Sequence, residues 1–165
     1  TLARYLVVHT GRKIGFSESA NKRGSNMSDT VVHGKCLCGS VTFELTGNIG
    51  IFHNCHCSRC RKVTGAMHAS NLFVSPEQIS WTSGRELVKR FEAPDAKYFS
   101  TCFCSQCGSN LPWASRSGKA VIVPAGTLDD DPGIKPLSNV YFGSRAPWHV
   151  DASELPTFDE MPARK

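Results

Sequence analysis

Seven of the eight cysteines fall into three tight clusters, Cys36-x-Cys38, Cys55-x-Cys57-x-x-Cys60 and Cys104-x-x-Cys107, and the eighth, Cys102, lies two residues before the third. No other feature limits the fold as strongly, because thiols this dense must be joined to one another or held by metal. Four thiolates close a tetrahedral zinc site, and three leave one corner vacant. Cys104-Ser105-Gln106-Cys107-Gly108 has the form of a zinc knuckle, with a glycine to relieve the turn. It supplies half a site, and Cys36 and Cys38, followed likewise by Gly39, can supply the other half. Cys55, Cys57 and Cys60 lie within six residues, so one short loop can present all three to a second ion with a coordination position facing out.

Two other partitions stay open on spacing alone. The triplet with Cys102 would make a second sealed site, and the triplet is also an incomplete ligand set for an iron–sulfur cluster, though its spacing is not a usual one. Disulfides fit poorly, since a bridge needs a particular Cα separation and direction that Cys-x-Cys pairs do not offer each other.

The chain has 165 residues, 40% hydrophobic and 20% charged, enough for one domain with a core of its own. The net charge of +5 comes mostly from one end. Residues 1–26 carry five basic groups and one acid, and the remainder is close to neutral, which argues against a nucleic-acid footprint. Met27-Ser28-Asp29 reads as a natural start, with 1–26 a disordered or read-through extension and 27–165 the zinc-binding domain. The one apolar run of the extension, Tyr5-Leu6-Val7-Val8, is too short for a signal-peptide core or a membrane span. A cytoplasmic location is therefore expected, where thiols stay reduced and clustered cysteines point to metal.

From Val31 the pattern is mostly β, without long helices. Val41, Phe43 and Leu45 alternate with polar residues and predict a half-buried strand. Residues 66–74, 79–82, 87–91, 98–103, 120–123 and 139–142 are further strands. Ala93-Pro94-Asp95 turns 87–91 back onto 98–103 as a hairpin running straight into Cys104, and Ser75-Pro76-Glu77-Gln78 carries a helix-start signature good for about one turn. His56 sits between two ligating cysteines, so its ring should point away from the metal, as a pocket residue. His53 and His68 read as ordinary hydrogen-bonded residues, and His33 and His149 have no informative spacing.

Gly34-Lys35-Cys36-Leu37-Cys38-Gly39-Ser40-Val41, Cys55-His56-Cys57-Ser58-Arg59-Cys60-Arg61-Lys62 with Thr64-Gly65-Ala66, Phe103 to Ser109, and Ser144-Arg145-Ala146-Pro147-Trp148 together resemble the motifs of the glutathione-dependent formaldehyde-activating enzyme family, which also includes centromere protein V. The resemblance runs from about Val31 to Pro162. It implies a β-tent of coiled antiparallel strands and two zinc ions, one structural on Cys36, Cys38, Cys104 and Cys107 and one catalytic on Cys55, Cys57 and Cys60. Cys102 is outside that ligand set and reads as a small apolar strand residue.

The expected activity is that of a carbon–sulfur lyase or synthase acting on a glutathione–aldehyde adduct, S-(hydroxymethyl)glutathione in the family. The substrate thiolate would sit at the open ion and attack a small aldehyde, with His56 or water returning the proton. Arg59, Arg61 and Lys62 flank the triplet and are candidate contacts for the thiol's carboxylates. Trp113, Phe142 and Trp148 are either pocket walls or core aromatics. The alternative is a zinc-stabilised binding module for protein or nucleic acid with no turnover. Neither reading calls for a membrane.

Overall fold

A computed structural model describes residues 30–162, so the expectations for 1–26 and for Met27 lie outside the described residues. Among the described residues, eleven strands form three sheets, with one short α-helix and a few single 3-10 turns. The expectation of a mainly β domain without long helices is met.

The first sheet orders β1 (Val31–Lys35), β2 (Thr42–Thr46) and β5 (Ile79–Ser83) with β2 in the middle, all antiparallel. The alternation read from the sequence is the reason β2 lies as it does: Val41, Phe43 and Leu45 are buried, while Thr42 and Glu44 keep contact with solvent. Phe43 meets Trp81 edge to face at 5.8 Å between ring centroids. Its burial is worth about 1.5–3 kcal/mol, and it requires glycine opposite, since a Cβ on Gly34 would collide with the ring.

The second sheet carries the site. Its order is β11 (Ser138–Val140), β3 (Ile51–Cys55), β4 (Ala69–Val74), β10 (Val121–Pro124) and β9 (Trp113–Ala114). β4 is interior and buried on both faces, which blurs its alternation and explains why its start falls at Ala69 rather than at 66. β11 pairs with β3 in parallel, the exception to an otherwise antiparallel fold. It places Val140 beside Cys55. The third sheet is β6 (Val88–Glu92), β7 (Ser100–Cys104) and β8 (Asn110–Leu111). β6 and β7 form the expected hairpin, with Val88 opposite Cys104. Arg116 fastens its loop by donating to the Lys97 carbonyl at 2.9 Å and pairing with Glu92 at 3.0 Å.

The core lies between the sheets: Val32, Phe43, Leu45, Phe52, Leu72, Leu111 and Val123 form one contiguous cluster. Among the described residues, no helix is long and apolar enough to cross a membrane.

Candidate metal centres and cleft

Four sulfurs meet where the first and third sheets approach. Cys36 follows β1, and its turn closes with Gly39 N–H donating to the Cys36 carbonyl at 2.9 Å. Cys104 ends β7, and Gly108 N–H donates to its carbonyl, also at 2.9 Å. Gly39 and Gly108 have φ of 74° and 75°, the left-handed conformation that glycine adopts without strain. Two near-identical turns thus face each other, joined by Leu37 N–H donating to Ser109 Oγ at 2.9 Å and by Ser40 Oγ donating to Gln106 Oε1 at 2.7 Å.

The sulfurs of Cys36, Cys38, Cys104 and Cys107 lie within 4.8 Å of one another, with Cys36–Cys38 at 3.4 Å and Cys38–Cys104 at 3.9 Å. A zinc ion with sulfurs at about 2.3 Å in a tetrahedron would need them about 3.8 Å apart, so the donor set fits that ion. All eight cysteines are free thiols. Hydrogen bonds from the Ser109 side chain and backbone hold the Cys107 thiol down at about 5, while burial pushes Cys36 up.

The second group is built from the end of one strand and the start of one helix. Cys55 is the last residue of β3, and Cys57 is the N-cap of α1 (Ser58–Thr64). Cys60 lies in the first turn, its N–H donating to Cys57 Sγ at 3.4 Å. The triplet rides on a strand end and a helical turn, not on the expected loop. The spacing that brings Cys57 and Cys60 together is that of a helical turn entered through an extended cap, and seven residues are too few to show a helical period in sequence. The three sulfurs lie within 4.8 Å of one another, and no further Cys, His, Asp or Glu ligand atom among the described residues joins them. Cys60 donates to Cys55, which lowers the Cys55 thiol to about 6 and raises Cys60. Sulfurs so close repel one another once ionised, and a bound cation removes that cost, so this group also fits a zinc ion.

Cys102 belongs to neither group. It is buried on β7 between Arg90 and Leu111, and burial raises its thiol.

Above the triplet opens a cleft of about 750 Å³, with Cys55, Cys57 and Cys60 in its lining. One wall is the start of α1, with Ser58 and Arg59, and the other is the loop of the β6–β7 hairpin, with Asp95, Lys97 and Tyr98. Trp113, His53 and Tyr141 complete it. Tyr141 holds φ at 54°, the one non-glycine residue among those described with positive φ.

Of the three cations flanking the triplet, only Arg59 lines the cleft. Arg61 donates to the Ser144 carbonyl at 3.4 Å, and Lys62 is exposed on α1 outside it. His56 turns the other way, as its place between two inward-facing cysteines requires. It is 1% exposed, with Nε2 at 3.2 Å from Asn139 Oδ1 and its ring 5.0–5.2 Å from those of Phe142, His68 and His149. It is absent from the cleft lining, so its ring is not placed to pass a proton to a substrate there. Trp148 is 62% exposed, neither core nor wall.

The hairpin residues Asp95, Lys97 and Tyr98 were not legible as site residues. Asp95 lies 35 residues beyond Cys60 in a segment that reads only as a turn. The one available signal was that the hairpin leads into Cys104, which ties that segment to the clustered sulfurs.

Comparisons with known proteins bear on the family and the fold. Residues 31–144 match the model of a family described as glutathione-dependent formaldehyde-activating enzyme. A protein of Fusarium vanettenii, provisionally named as such an enzyme, is 30% identical over 90 residues, 54% of this chain and 47% of the relative. A Podospora anserina protein with the same provisional name is 29% identical over 79 residues, 47% of this chain and 36% of the relative. Each match thus spans less than half the relative's length. A crystal structure of a Rhodobacter sphaeroides protein superposes with a TM-score of 0.51 at 20% identity, covering 65% of this chain and 98% of that one, and so shares the fold. With more than half of its length matched and both cysteine groups inside or at the edge of the cleft-bearing fold, this chain belongs to the glutathione-dependent formaldehyde-activating enzyme family.

Proposed function

We propose that this chain is a zinc-dependent carbon–sulfur lyase or synthase that joins a glutathione-like thiol to a small aldehyde, or releases one from such an adduct. The observation that carries the reading is the contrast between the two cysteine groups. One has four sulfurs at tetrahedral spacing, and the other has three sulfurs in the lining of an open cleft. A zinc ion bound by the three would supply a fourth position that accepts a sulfur ligand and favours its thiolate form.

The chain's own residues do the rest. The strand end and the helix cap fix the three sulfurs. The cleft, large enough for a tripeptide thiol and open to solvent, holds the two reactants together so that their encounter is effectively intramolecular. Arg59 offers a guanidinium to a ligand carboxylate. In the addition, the thiol gives its proton to solvent, its sulfur electron pair forms the new C–S bond, and the carbonyl π pair moves to oxygen, which takes a proton from water. Breakdown is the reverse. His56, buried behind Cys55 and Cys57, takes a positioning role through Asn139 in place of the proton return expected of it.

The test is metal analysis with a ligand-induced thermal shift. Two zinc ions per chain are expected, with a rise in Tm on adding glutathione. Cys57→Ser should lose one ion, the thermal shift, and adduct formation by at least about a hundredfold. Unchanged turnover in that variant after loss of one ion would overturn the proposal.

A further inference from the structure

An ion pair spans the cleft, and the proposed reaction uses only its guanidinium and leaves its carboxylate without a role. Arg59 stands on the first turn of α1, next to Cys60, and Asp95 stands on the facing hairpin loop. Arg59 Nη2 lies 3.0 Å from Asp95 Oδ2, and both residues line the cleft with the three cysteines. Their side chains are 43% and 73% exposed, so the pair adds little to folding. The loop that offers Asp95 is itself held, since Arg116 grips the Lys97 carbonyl and Glu92. Lys97 also lines the cleft, its ammonium 5.1 Å from the centroid of the Tyr98 ring. A carboxylate is thus presented on a fastened loop to the one triplet-flanking guanidinium that faces the cleft.

We propose that Asp95 stands in for a ligand carboxylate. In the free protein it keeps the Arg59 guanidinium aimed across the cleft. A thiol that carries a carboxylate takes its place, exchanging one charge-assisted hydrogen bond for another of the same kind. Lys97, on the same wall, offers a second cationic contact. Asp95 and Arg59 are therefore specificity-determining residues: Arg59 selects anionic thiols over neutral ones, and Asp95 subtracts from their affinity by competition. This rests on the reading of the triplet as a thiol-binding centre, and it adds the chemistry by which the thiol is chosen.

The experiment is titration calorimetry on the zinc-loaded full chain with three probes. Glutathione has carboxylates and a thiol, S-methylglutathione has carboxylates and no free thiol, and 2-mercaptoethanol has a thiol and no carboxylate. Asp95→Asn should tighten both carboxylate ligands roughly two- to fivefold, the range open to an exposed pair, and leave 2-mercaptoethanol unchanged. Arg59→Gln should weaken both carboxylate ligands about tenfold and abolish the effect of Asp95→Asn in the double variant. Both side chains are solvent-exposed, so the variants keep the fold, which a circular dichroism spectrum checks. Unchanged affinities of both carboxylate ligands in Asp95→Asn, or an equal shift for 2-mercaptoethanol, overturn the proposal. If S-methylglutathione binds as well as glutathione and shows the Asp95 effect, the stand-in holds while the thiol–metal reading falls. If no probe binds the wild-type chain, both fall.

Discussion

A Cβ placed on Gly84 would collide with the Ser40 carbonyl, and φ there is 65°. Gly39, at φ 74°, has nothing within 4 Å of where its Cβ would be. The two glycines separate conformational strain from steric conflict. Gly39→Ala should cost about 1 kcal/mol, the strain of a left-handed non-glycine residue. Gly84→Ala carries that strain plus displacement of a backbone segment beside the four-cysteine group, for a total of about 2–4 kcal/mol. Thermal unfolding of the two zinc-loaded variants checks the difference. Equal melting temperatures would show that the Ser40 segment yields without cost. Both positions hold positive φ, and only the packing of residues 40 and 84 distinguishes them.

At the scale of elements, the turn after β4 was legible and its consequence was not. Ser75-Pro76-Glu77-Gln78 does begin a single 3-10 turn, and Gln78 Oε1 accepts from Ser75 N–H at 2.9 Å, as the capping signature requires. The Gln78 amide also reaches across to donate to the carbonyls of Thr46 and Asn48, both at 3.0 Å, tying the loop between β2 and β3 to the loop between β4 and β5. Gln78→Ala should therefore cost about 1–3 kcal/mol, more than loss of a cap alone, because the partly buried Thr46 carbonyl loses its donor along with the exposed Asn48 carbonyl. Chemical denaturation measures it, and a cost within about 0.5 kcal/mol would mean that water replaces the amide fully. The strand β3 and the helix α1 were missed for one reason: at five and seven residues, each is too short to show a period of two or of 3.6.

Across the whole molecule the two cysteine groups do different mechanical work. The four-sulfur group ties the turn after β1 to the turn after β7, and so joins two sheets separated by more than sixty residues of chain. The three-sulfur group spans six residues and joins only β3 to α1. Metal removal should therefore proceed in two stages. A mild chelator should take one zinc with loss of glutathione binding and little change in far-UV circular dichroism. The second should leave only with cooperative unfolding, since binding to a site absent from the unfolded chain is folding free energy. Metal content followed alongside ellipticity checks this, and simultaneous loss of both ions with the fold would show that the groups are not independent. Falling pH should favour release at both, because the ligating thiols must be deprotonated.

The sequence alone determined the partners of each sulfur inside a cluster, because separations of two or three residues leave the backbone few ways to keep thiols apart. It also determined that the chain would be mostly strand, through the alternation seen in Val41, Phe43 and Leu45. Tertiary structure alone decided what faces the open triplet. The pairing of Arg59 with Asp95, the outward turn of Lys62 and the burial of His56 beneath Phe142 all depend on how separate sheets settle against one another. That settling is fixed by core packing among distant residues, which leaves no trace in the local spacing of the residues it brings together.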